Sequence, residues 1–128
     1  MALALQDAFD LIWERAKTPV RAEHNGRCMY RLPCGSRSRP ETVCLAGAVI
    51  HDDVYRPEFD GNDYYLGLIL SDLGYIDDFD VNDFLSIGRW PLLDLCNMAR
   101  HIHDAHDPIT WPDELRKLAA RHALTIPN

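Results

Sequence analysis

The sequence predicts an α+β fold, mainly helical, with about five helices around a small two-stranded β element in one domain. Three observations carry that expectation. Stretches near both ends repeat apolar residues at helical spacing, and the middle holds two short strand-like runs around a proline-bearing loop. A length of 128 residues suits one core rather than two. Such a chain buries roughly two thirds of its unfolded surface, enough to hold together without disulfides or metal.

Residues 3–16 read as an amphipathic helix. Leu5, Phe9, Ile12 and Ala16 form its apolar stripe, Trp13 widens it, and Asp7, Asp10, Glu14 and Arg15 occupy the other face. Thr18-Pro19 ends it, because a residue before proline is pushed out of the helical region. His24-Asn25-Gly26 is a turn signal, and Arg27–Leu32 alternates imperfectly with strand-like content. Pro33–Pro40 is a basic loop. Thr42–Ile50 is β-branched at its ends and small at Ala46-Gly47-Ala48. A return strand and a buried short helix both fit it; a two-strand hairpin with Arg27–Leu32 is the favoured expectation.

Asp52-Asp53 suits the start of a short helical turn, followed by a break at Pro57 and a turn at Asp60–Asp63. Tyr65–Leu73 reads as a helix with Gly74 as its C-cap, and Asp80–Gly88 as a shorter one closed by Gly88. Arg89–His106 is the longest helix, with Pro91 in its first turn and Leu92, Leu95, Cys96, Ala99 and Ile102 as its apolar stripe. Asp107-Pro108 stops it. The last helix starts at Thr110 as N-cap, with Asp113 completing a variant capping box and Leu115, Leu118, Ala119 and His122 inward.

Charge is the most uneven property of the chain. Ten acids and one base, Arg56, lie between His51 and Asp83, so this quarter of the sequence carries −9 and accounts for the whole excess behind the net charge of −7. Such a field repels nucleic acid and attracts basic surfaces, including the nucleic-acid grooves of other proteins. Tyr75, Ile76, Phe79 and Val81 are interleaved with Asp72, Asp77, Asp78, Asp80 and Asp83. Aromatics among charges are interface material. The expected binding residues are therefore Asp72, Asp77, Asp78, Asp80 and Asp83, with Tyr75 and Phe79 as anchors.

No motif names a reaction. The four cysteines at 28, 34, 44 and 96 form no Cys-x-x-Cys knuckle, and no His-Glu-x-x-His appears. On a helix His101 and His103 lie about 200° apart, and only His103 and His106 share a face. No metal and no cofactor is expected. Cys44 and Cys96 sit in apolar surroundings, as core thiols do. The N-terminus has no basic region before its first acid, so it does not read as a secretory signal, and no apolar run approaches the ~20 residues that span a bilayer. Reduced thiols and a cytoplasmic setting follow as expectations.

Cys28-Met-Tyr30-Arg31, then Cys44-Leu-Ala-Gly47-Ala-Val-Ile50-His-Asp-Asp53-Val-Tyr55, Glu58 before Gly61, and Ile102-His103-Asp104 before Trp111 are four stretches in fixed order. Together they resemble a family of small bacteriophage and prophage proteins with Cys-x-Tyr-Arg, Cys-Ala-x-Gly-x-Leu-Ile-Pro-Asp-x-x-Tyr and late His-Asp motifs. This chain departs from that pattern at Leu45, at His51 and in a longer loop at 34–42. The resemblance implies a phage setting within a bacterial host and carries no chemistry with it.

The expected function is that of a phage-encoded acidic binding protein, more an inhibitor than an enzyme. It would contact a host or defence complex that handles nucleic acid, with anti-CRISPR activity the sharpest version, and mimic DNA in part. Its partner would be a protein with a basic surface; no direct nucleic-acid contact and no membrane are expected, and the oligomeric state is left open. One alternative is a small metal- or thiol-dependent hydrolase built from Cys28, Cys44, Asp53, His103 and Asp104. Another is a structural or regulatory accessory protein whose acidity keeps it in solution.

Overall fold

The computed structural model describes residues 3–18, 23–24, 27–28, 44–50, 54, 56, 66–77 and 90–127. Among these, four α-helices make the fold: α1 (Leu5–Ala16), α2 (Leu66–Asp72), α3 (Pro91–Ala105) and α4 (Trp111–Arg121). The expected five helices around a β element are not what forms. The fold is helical. Among the described residues, extended pairing is limited to Glu23–His24 against Arg27–Cys28, two residues a side, which is too short to serve as a layer.

The segment expected to return as a strand is helical instead, a 3-10 turn at Ala46–Val49. Two local causes favour it. The Cys44 Sγ accepts a hydrogen bond from the Gly47 N–H at 3.1 Å, which closes the turn from inside. Every residue from Cys44 to Ile50 except Ala48 is buried, with none of the alternation of inner and outer faces that a half-covered strand needs. The small Ala46-Gly47-Ala48 face lets α1 pack directly against this turn. The predicted short helix at Asp80–Gly88 and the helical turn at Asp52-Asp53 lie outside the described residues.

The long helices follow their apolar stripes. In α1, Ala8, Phe9, Ile12 and Ala16 are buried, while Leu5 and Trp13 are partly covered. In α3 the whole predicted stripe is buried, and Pro91 takes the first helical position, where its missing N–H costs nothing. Leu115, Leu118, Ala119 and Trp111 form the inner face of α4. These side chains meet in one core, and each large one contributes about 1.5–3 kcal/mol by leaving water.

The helix ends are set by identifiable groups. Gly74 closes α2 at φ 76°; its N–H donates to the Ser71 carbonyl at 3.0 Å, and the Tyr75 N–H to the Leu70 carbonyl at 2.9 Å. This is the double bond of a Schellman motif, which requires a left-handed residue. The start of α4 differs from expectation. Thr110 has helical backbone and makes no side-chain cap; its hydroxyl donates back to the Asp107 carbonyl at 2.7 Å. The capping residue is Asp107, whose carboxylate accepts from the Ile109 N–H at 3.2 Å and starts a 3-10 turn, Pro108–Thr110, that runs into α4. His122 stands at the C-cap of α4, half-buried rather than in the core.

Candidate functional site

Asp72, Tyr75 and Asp77 are the expected binding residues that the structure describes; Asp78, Phe79, Asp80 and Asp83 lie outside the described residues. The Schellman turn at Gly74 sets the positions of the first three. Asp72 ends α2 with its carboxylate exposed, and the Arg56 guanidinium donates to it at 3.0 Å. Tyr75 folds back half-buried against the core, Ile76 is buried, and Asp77 faces solvent. The Asp77 carbonyl accepts from the Trp90 indole N–H at 2.9 Å, which fastens this segment to the start of α3.

Beside this segment lies an open apolar groove of about 280 Å³. Tyr75, Ile76, Trp90, Leu92 and the N-terminal Leu3 and Leu5 line it. Exposed Asp77 follows the lining residue Ile76 directly in sequence, and an apolar groove with a carboxylate next to it has the chemistry of a contact surface.

The late His-Asp pair has a different place. His103 is fully buried. Its ring stacks on Trp111 with centroids 5.2 Å apart and a 26° interplanar angle, and its Nδ1–H donates to the Asp104 carboxylate at 2.9 Å. The Trp111 indole N–H donates to the His106 carbonyl at 3.3 Å, and the Arg15 guanidinium carbon sits 5.9 Å from the Trp111 ring. This arrangement locks α1, α3 and α4 together and gives His103 a packing role.

The thiols described are equally inward. Cys44 and Cys96 are free and fully buried. Burial pushes the Cys96 thiol up to about 12, so it stays protonated and unreactive at neutral pH. Of the residues named for a hydrolase, Cys44 and His103 are buried, and Asp53 and the Cys28 side chain lie outside the described residues. As they stand, no three His, Cys, Asp or Glu side chains among the described residues share a point at coordinating distance.

Sequence reasoning paired His103 with His106. The structure pairs His101 with His106 instead, their rings 6.0 Å apart and nearly perpendicular, because α3 stops at Ala105 and His106 turns out of the helix with φ −116° and ψ 149°. His106 Nε2 then stands 3.6 Å from Glu114 Oε1 on α4. The helix-stop signal at Asp107-Pro108 was the cue that helical angles cease to apply at His106.

No protein-family model, curated protein or solved structure matches the chain. No helix among the described residues is long and apolar enough to cross a membrane.

Proposed function

We propose that this chain is an acidic, non-enzymatic binding protein of phage origin that inhibits a bacterial host or defence complex handling nucleic acid, with anti-CRISPR activity its sharpest form. The observation that supports this reading is the segment after α2. Exposed Asp72 and Asp77 bracket half-buried Tyr75 and buried Ile76, beside a groove floored by Trp90. Carboxylates at the rim steer a basic surface in, and the apolar groove holds it by excluding water. The Arg56–Asp72 pair does not oppose this role, because an exposed ion pair is worth about 1 kcal/mol or less and exchanges readily for a partner's arginine or lysine.

Asp78, Phe79, Asp80 and Asp83 continue the same charged and aromatic sequence, and the partner's phosphate-binding groove is the surface they would occupy in place of DNA. Contact is with protein; the local charge repels nucleic acid itself.

The test is infection. In bacteria carrying an active CRISPR system, expression of the chain should restore plaque formation by a targeted phage. The variant Asp77→Lys/Asp78→Lys/Asp80→Lys/Asp83→Lys should lose that effect while keeping its helical circular dichroism. Full protection by the folded variant would remove the acidic-mimic reading.

A further inference from the structure

We propose that the groove beside Tyr75 is a socket for an arginine side chain of a partner protein, with the arginine stem laid over the apolar lining and the guanidinium held by the Asp77 carboxylate. The socket rests on the protein-binding reading above and names the chemistry that this surface takes. The groove, of about 280 Å³, is lined by apolar and aromatic side chains, and no charged group stands among its described lining residues. It lies just below the roughly 300–1,000 Å³ of pockets that enclose a whole small ligand, and it suits one long side chain entering from another protein.

Asp77 is joined to the groove twice. It follows Ile76 in sequence, and its carbonyl accepts the Trp90 indole N–H at 2.9 Å. Asp77 is exposed, and among the described residues no cation pairs with its carboxylate, whereas Asp72 already holds Arg56. Asp94 adds a second carboxylate one turn along α3 from Pro91, another lining residue. In that first turn it offsets the positive end of the helix, which by itself disfavours a cation. Arginine fits this combination better than lysine. Its stem covers apolar area, its planar guanidinium stacks on an aromatic face such as that of Tyr75, and its fork donates two bonds to one carboxylate. A lysine ammonium is more strongly hydrated and lacks the fork.

The probe is the peptide acetyl-Ser-Leu-Arg-Leu-Ser-amide, titrated into the full-length protein while the Trp90 indole and the Tyr75 and Asp77 amides are followed by NMR. Saturable shifts are expected at all three. Binding should weaken by at least about tenfold when citrulline replaces the peptide's arginine, and equally in Asp77→Asn, which keeps the backbone carbonyl that holds Trp90. Leu3→Ser, which changes the lining and not the charge, should weaken the arginine and citrulline peptides alike. Equal binding of those two peptides to the wild-type protein would make the groove a site for apolar ligands. Shifts of the same signals on dilution of the protein alone would make it an interface between copies. Either result overturns the socket, as does an unmoved Trp90 signal. No peptide binding beside restored plaque formation would overturn the socket alone; peptide binding without restored plaques would leave the socket standing and remove the inhibitor reading.

Discussion

Ala123 holds φ at 55°, left-handed backbone that disfavours any residue with a Cβ. It does so because α4 ends in a second Schellman turn, the Leu124 N–H donating to the Ala119 carbonyl at 2.8 Å and the Ala123 N–H to the Ala120 carbonyl at 3.3 Å. Glycine is the residue this position favours, as Gly74 is at the end of α2. Ala123→Gly should therefore stabilise the protein by about 0.5–1 kcal/mol, read as a higher urea midpoint with unchanged slope. His103 is the reverse case, a polar group whose removal is costly. His103→Ala empties a fully buried site stacked on Trp111 and should lose about 2–4 kcal/mol, whereas Asp104→Asn, at a half-exposed carboxylate, should lose well under half of that. Near-equal losses in urea titrations would contradict a packing role for His103. The His-Asp dipeptide was legible as a sequence feature, but its burial was not, since burial depends on Trp111 arriving from the next helix.

At the scale of elements, α1, α2, α3 and α4 were readable because apolar periodicity and proline or glycine punctuation agree there. The Ala46–Val49 turn was not. Its composition of small and β-branched residues fits strand and turn alike, and the deciding contact, Cys44 Sγ to the Gly47 N–H, is a side-chain bond that no periodicity reports. The link between the chain ends was equally invisible. Gln6 on α1 pairs with the backbone of Thr125 through both halves of its amide, donating to the carbonyl at 2.8 Å and accepting from the N–H at 2.9 Å. Gln6→Ala should lose about 1 kcal/mol and raise hydrogen exchange at the Thr125 amide, with exchange in α3 unchanged. Along α4, the Glu114–Lys117 pair lowers the glutamate from its ordinary 4.5 and raises the lysine from its ordinary 10.5. Its contribution is present between those two values. It is lost as pH falls through the depressed glutamate pKa or rises through the elevated lysine pKa.

For the whole molecule, the acidic stretch also contributes to the core, since α2 and Ile76 within it bury Leu66, Ile69, Leu70 and Ile76. The four helices pack α1, α3 and α4 around a core with α2 against α3, and the net negative charge comes from the sequence between the Ala46–Val49 turn and α3. The composition made that charge legible at once. The groove beside Tyr75 was not legible, because it is assembled from Leu3 and Leu5, Tyr75 and Ile76, and Trp90 and Leu92, three separated stretches joined only by folding. Capture of cellular proteins on the tagged wild-type chain and on the Asp77→Lys/Asp78→Lys/Asp80→Lys/Asp83→Lys variant, at low and high salt, tests the central claim most directly. The account predicts a near-stoichiometric nucleic-acid-binding protein on the wild type that high salt and the charge reversal both release, and that added DNA displaces. The same protein retained equally by the folded variant, or none retained at either salt, would contradict it.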